Sequence, residues 1–135
     1  MPDTLLPGTT GVATLVVTAA DLASALESEP GDRFPLVLAT TRMIALMEVA
    51  ASRVLQPLLG PGQLSAGIGV FVRHSAPTPP GAEVRAEARF TGMQGKRYLF
   101  DVVAFDGAGE IGRGTHERAI VDAARMLAVA AGRGG

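Results

Sequence analysis

The segment spanning roughly residues 40–59 constrains this chain more than any other. Apolar side chains recur there at Met43, Leu46, Met47, Ala50, Val54 and Leu55, the spacing that gathers them on one face of an α-helix. Thr40 or Thr41 is placed to supply the N-cap, and Pro57 followed by Gly60-Pro61-Gly62 ends the run. A helix so rich in Ala, Met and Leu is predicted to be mostly buried. Something must therefore wrap it.

Four strand candidates follow with no second strong helix among them. Residues 67–75 alternate Ile68, Val70, Val72 and His74 with Gly69, Phe71 and Arg73. Residues 82–90 set Val84, Ala86, Ala88 and Phe90 against Glu83, Arg85, Glu87 and Arg89, the pattern of a half-buried strand. Gln94-Gly95 turns the chain into a strand over 97–105, and Asp106-Gly107 signals a hairpin into 110–121. Ahead of the helix, the β-branched run 11–18 reads as a first strand. Between them, 19–35 is mixed: a short helix capped by Asp21, then a break at Glu29-Pro30-Gly31-Asp32, together a loop or lid. Residues 122–130 are either a short helix or a continuation of the last strand, and 131–135 are predicted to fray.

The order strand, helix, four strands predicts an α+β fold in one domain over 1–135, an antiparallel sheet curled over one long helix. One helix covers one face only. The other face and the sheet edge call for a partner, and a homodimer, with room for higher assembly, is the economical answer.

Composition narrows the function. Hydrophobic residues make up 47% of the 135, against intrinsic disorder. Twelve Lys and Arg nearly balance 13 Asp and Glu, which argues against a nucleic-acid binder. No cysteine is present, which removes disulfides, thiolate metal sites and cysteine nucleophiles. Two widely spaced histidines give no metal-ligand pattern. No basic, apolar leader opens the chain, and no apolar run is long enough to cross a bilayer. A cytoplasmic protein without a membrane association is the expectation. A phosphate-binding loop, a dinucleotide fingerprint and a Gly-x-Ser-x-Gly elbow are all missing.

Three groups carry the remaining chemical interest. Glu48 lies mid-helix between Met47 and Val49, either on the polar side or at the rim of the apolar face. A carboxylate at that rim would suit a general base. His74 shares its strand face with apolar residues, where a satisfied core histidine competes with a catalytic one. In the last strand, alternation puts Gly112, Gly114, His116 and Arg118 on one face, with Thr115 and Glu117 on the other. Those glycines permit close approach of a ligand or of another backbone, and Arg118 is either a phosphate or carboxylate partner or an ordinary surface cation.

Together these segments resemble the hot-dog thioesterase superfamily, and within it the fluoroacetyl-CoA thioesterase-like group. The resemblance covers roughly 5–122. It rests on Phe34-Pro35, Ala39-Thr40 and Leu46-Met47-Glu48, on Gly67 with Val72-Arg73-His74, and on Asp106-Gly107, Glu110-Ile111-Gly112 and Gly114-Thr115-His116-Glu117-Arg118-Ala119. It implies a hot-dog fold, a dimer with active sites at the subunit interface, and hydrolysis of a small or short-chain acyl-CoA. Coenzyme A enters as part of the substrate and no cofactor or metal is implied. Thr40, Glu48 and His74 match the group's catalytic residues, Gly67 a pocket glycine, Arg118 an arginine near substrate, and Phe34 a lid aromatic. Gly31 stands where the fluoroacetyl enzyme carries a second lid aromatic. Arg73, Arg85, Arg89 and Arg97 are candidates for the coenzyme A phosphates. The alternative is a hot-dog module that binds acyl-CoA, or only dimerises, without turnover.

Overall fold

The computed structural model describes residues 5–134. Five strands form one antiparallel sheet: β1 (Thr10–Val16), β2 (Gln63–His74), β3 (Glu83–Gln94), β4 (Arg97–Asp106) and β5 (Gly109–Asp122). Their spatial order is β1-β3-β4-β5-β2, which leaves β1 and β2 as the two edges. Two-residue turns join β3 to β4 and β4 to β5, and at the second turn the Asp106 carboxylate accepts the Ala108 N–H at 2.8 Å. The sheet curls around α1 (Thr40–Leu55), extended by a single 3-10 turn at Gln56–Leu58.

The predicted apolar face of α1 is the buried one, since Met43, Leu46, Met47, Ala50, Val54 and Leu55 all lie in the core with Ala51. Against it the strands set Ala13, Val84, Ala86, Ala88, Phe90, Phe100, Val102 and Ala104, the inward half of each alternation. Phe90 and Phe100 meet edge to face with ring centroids 5.8 Å apart, a geometry that adds to their burial. α1 settles closely onto β1 because Gly11 has no side chain. A Cβ there would stand 2.2 Å from the Ala50 carbonyl oxygen.

Three expectations change in detail. Ala39, not Thr40 or Thr41, is the N-cap of α1, and no side chain caps it; the Thr40 hydroxyl is already committed elsewhere, as described below. The helix expected within 20–29 is two short 3-10 turns, Ala19–Asp21 and Ala23–Leu26. There the Asp21 carboxylate accepts the Thr18 N–H and pairs with Arg42 at 2.9 Å, contacts that hold its pKa below the ordinary range. After β5 the chain forms a second helix, α2 (Ala123–Gly134), started by Asp122, whose carboxylate accepts the Arg125 N–H. It continues through the tail expected to fray, and Gly135 lies outside the described residues.

The strict alternation expected over 67–75 is also broken. Gly67 pairs with Arg118 and Gly69 with Glu117, so Ile68 is an extra residue, a β-bulge. Beyond it, Val70, Val72 and His74 oppose His116, Gly114 and Gly112. The bulge thereby brings Gly67 and His74, an odd number of residues apart, to the same inward face.

Candidate active site

The six residues singled out in the sequence fall into two clusters and one outlier. In the first cluster the Thr40 hydroxyl and His74 Nδ1 share a hydrogen bond of 2.8 Å. Thr40 is the first residue of α1 and His74 the last of β2, so the helix start and the strand end meet here. His74 Nε2 is buried with no hydrogen-bond partner among the described residues. Burial holds this imidazole below its ordinary pKa of 6.5, so it is neutral and basic near pH 7. The pair lines a shallow cleft with Ala23, Pro35, Val37 and Pro77. At the start of α1 the Arg42 and Met43 N–H groups bond the Ala39 carbonyl, while those of Thr40 and Thr41 find no hydrogen-bond partner among the described residues.

The second cluster surrounds Glu48. Its carboxylate reaches out from α1 into the space that a side chain at Gly67 would fill: a Cβ there would stand 2.2 Å from Glu48 Oε2. Arg118 Nη1 donates to Oε2 at 3.1 Å. Arg118 is nearly fully buried, and two more of its donors are matched, Nε to Ser65 Oγ at 3.1 Å and Nη2 to the Ser65 carbonyl at 3.0 Å. A buried cation needs such satisfaction. His116, 2% exposed, completes the group. Its Nδ1 bonds to the Gly69 carbonyl at 2.8 Å, and its Nε2 lies 3.2 Å from Arg118 Nη1 and 4.0 Å from Glu48 Oε2. Among the described residues no hydrogen bond reaches Glu48 Oε1, and the side chain is 42% exposed. One carboxylate oxygen is thus fixed and the other is open.

Phe34 joins neither cluster. It lines a neighbouring hollow with Glu27, Asp32, Arg33 and Leu36, and is half exposed. Its loop is closed by its own carboxylates: Asp32 accepts the Ser28 and Glu29 N–H groups, and Glu27 accepts the Phe34 N–H. Of the four arginines considered for phosphate binding, Arg85 pairs with Glu87 and Arg97 with Glu117, while Arg73 and Arg89 are exposed without an ion pair among the described residues. No trio of His, Cys, Asp or Glu among the described residues is placed to hold a metal. No helix is long and apolar enough to cross a membrane.

Sequence reasoning passed over Ser65 and His116 as site members. His116 was legible as an inward neighbour of Arg118 two residues away. Ser65 carried no signal, because its role depends on which strand lies beside β5.

Thr40 and Glu48 are eight residues apart on α1, about 12 Å along its axis. Within one chain the two clusters are therefore separate. Both face the β2 side of the helix, and β2 is an edge strand that exposes Leu64, Ile68, Val70 and, at 74%, Phe71.

Known proteins share this fold. The family model described as fluoroacetyl-CoA-specific thioesterase matches residues 17–124. The fluoroacetyl-CoA thioesterase of Streptantibioticus cattleyicolor is 45% identical over 95 residues, 70% of this chain and 68% of that one. The solved structure of the fluoroacetyl-CoA thioesterase FlK superposes with a TM-score of 0.88 at 37% identity, covering 94% of this chain and 96% of the other. TTHA0967 of Thermus thermophilus, a thioesterase superfamily member, gives 0.83 at 31% identity over 93% and 90%. A hot-dog-like protein of Thermanaerovibrio acidaminovorans, at 22% identity, shares the fold with a TM-score of 0.82 over 96% and 93%. With a hot-dog fold and a family match over most of its length, this chain belongs to the fluoroacetyl-CoA-specific thioesterase family.

Proposed function

We propose that this protein is an acyl-CoA thioesterase for small or short-chain acyl groups, with Glu48 at the centre of the reaction and Thr40 and His74 assisting. The observation that carries this reading is the half-fixed carboxylate: Arg118 holds Oε2 while Oε1 stays open at the Gly67 notch. Thioester hydrolase activity follows from the family, and the fluoroacetyl-CoA-specific relative is solved with fluoroacetate and CoA bound in a variant form.

Hydrolysis needs an oxygen to attack the carbonyl carbon, donors for the oxyanion, and a proton for the departing thiolate. Oε1 is suited either to attack directly, breaking the C–S bond and leaving an acyl-Glu48 anhydride for water to open, or to take a proton from an attacking water. His74, neutral and oriented by Thr40, is suited to take a proton from water and relay it to the departing thiolate. Free N–H groups at the α1 start or beside Gly67 suit the oxyanion. Coenzyme A enters with the substrate, and the chemistry requires no cofactor or metal.

The separation of Thr40 from Glu48, about 12 Å along α1, calls for two copies. Antiparallel pairing of β2 with its copy would pair a row of unsatisfied backbone groups and cover Ile68, Val70 and Phe71. A register that sets Phe71 opposite Phe71 of the partner subunit sets Val70 opposite Val72 of the partner subunit and, across the bulge at Ile68, Gly67 opposite His74 of the partner subunit. Glu48 would then work with Thr40 and His74 of the partner subunit, in a homodimer placed in the cytoplasm, where coenzyme A thioesters are plentiful.

The test is thiol release across a panel of acyl-CoAs, from acetyl and fluoroacetyl to medium-chain and aromatic, with wild type and Glu48→Ala. Glu48-dependent release supports the reading and gives the acyl size accepted. Wild-type-like turnover by Glu48→Ala removes Glu48 from the mechanism. Silence of the wild type on every acyl-CoA and on acyl carrier thioesters would favour a non-catalytic binding module.

A further inference from the structure

Arg118 carries five N–H donors in a planar fork, and such a fork normally grips a carboxylate with two of them. Here it does not. Glu48 receives a single bond, from Nη1 to Oε2. Ser65 takes one hydrogen each from Nε and Nη2, and His116 Nε2 sits 3.2 Å from Nη1, in position to take its second hydrogen. We propose that His116 is a positioning residue for Glu48: as a neutral imidazole with its proton on Nδ1, it takes one Nη1 hydrogen of Arg118 and so anchors the guanidinium with its other Nη1 hydrogen on Oε2, holding the carboxylate with Oε1 free for chemistry. The inference rests on the thioesterase reading of Glu48.

The tautomer follows from the neighbours. The Gly69 carbonyl, 2.8 Å from Nδ1, can only accept, so Nδ1 carries the hydrogen. Nε2 then holds a lone pair, which is what Arg118 requires. Burial holds the His116 pKa below its ordinary value, and the adjacent Arg118 charge pushes the same way, against the opposite pull of the Gly69 bond and the carboxylates of Glu48 and Glu117. Protonation would set an Nε2–H against an Nη1–H, two donors face to face. The ring is fixed by the Gly69 bond and by Phe100 of β4, whose centroid lies 6.3 Å away. The bulge at Ile68 lies between Gly67 and Gly69, so one distortion of β2 admits the Glu48 carboxylate and braces the histidine that keeps it open.

Two substitutions and one spectrum test this. His116→Phe keeps the ring and removes the acceptor, which leaves one Nη1 hydrogen unpaired and lets the guanidinium, and Glu48 with it, shift. The expected result is a folded protein, of unchanged oligomeric state, whose kcat falls about 10- to 100-fold while KM moves little. His116→Gln returns an acceptor oxygen near the place of Nε2 and is expected to recover most of kcat. A folded His116→Phe with wild-type kcat, or a His116→Gln no better than His116→Phe, would overturn the proposal. Independently of activity, imidazole ¹⁵N NMR, with His116 assigned as the signal that persists in His74→Ala, is expected to report the neutral Nδ1–H form; an Nε2–H form overturns it even if neither His116 variant folds. Failure of the thioesterase reading would instead appear as wild-type-like turnover by Glu48→Ala, whatever His116 does.

Discussion

The two flanks of α1 are built from the same helix and serve opposite ends. Toward β1 and β3 the helix is dry: Ala50, Ala51 and Leu55 are fully buried, the facing strands offer Ala13, Val84, Ala86 and Ala88, and Gly11 lets backbone approach backbone. Toward β2 and β5 the same helix presents Thr40 and Glu48 to two histidines, an arginine and a glycine notch. The first flank gains stability from apolar burial, about 25 cal/mol for each Å². The second gives up part of that gain to hold a half-exposed carboxylate and an imidazole unpaired at Nε2 among the described residues, the groups on which the proposed reaction depends. Stability and chemistry are thus divided across one helix about 10 Å wide.

The sharpest way to break this division is to cut each flank in turn. His74→Ala is expected to lower turnover by about 10²- to 10⁴-fold with little change in melting temperature. Leu55→Ala is expected to cost about 2–5 kcal/mol of stability, while kcat per folded molecule holds. Denaturant melts and steady-state kinetics on the same samples check both, and an exchange of the two phenotypes would sink the comparison.

A finer test adds one methyl group to each flank. Gly11→Ala would drive a Cβ to 2.2 Å from the Ala50 carbonyl oxygen, rigid backbone, and is expected to cost about 1–3 kcal/mol. At Gly67 the same 2.2 Å approach is to a carboxylate at the end of a flexible side chain. Gly67→Ala is therefore expected to leave the melt nearly unmoved and to reduce kcat by about tenfold or more. Equal losses of stability in both variants would show that the second flank is as rigid as the first.

The smallest effect is on pH. His74 and His116 both lie on the polar flank, and burial lowers the pKa of each below 6.5. Above 6.5 both folded and unfolded states keep them neutral, and stability is at its full value. As pH falls from 6.5 through the lowered folded values, the unfolded chain takes up protons first and stability is lost. Melts between pH 7.5 and 5 are expected to show this slope, reduced in His116→Phe. The lowered carboxylates of Asp21 and Asp32 act only below their ordinary 3.8, outside that window. A flat profile over pH 7.5 to 5 would separate the histidines from stability altogether.

The dry flank was almost fully legible in the sequence, because burial imposes a period: 3.6 for Met43 through Leu55 and 2 for Val84 through Phe90. The polar flank was legible only residue by residue. Glu48 and His74 stood out through their chemistry and their place in familiar motifs. What joined them to their neighbours did not stand out. A period-2 reading assumes a strand without extra residues, so it set Gly67 on the face opposite His74. Ser65 entered through strand order, which alternation does not encode. The Thr40 hydroxyl, expected to cap its helix, bonds His74 instead, a choice made by a strand end more than thirty residues away.

The bulge at Ile68 has a consequence for shortening the chain. Gly67 and Gly69 oppose consecutive residues of β5, so losing Ile68 would restore an ordinary ladder and leave Val70 to His74 with their present partners. Deletion of Ile68 is therefore expected to straighten β2 while keeping its ladder with β5 and the partners of both Gly67 and His74.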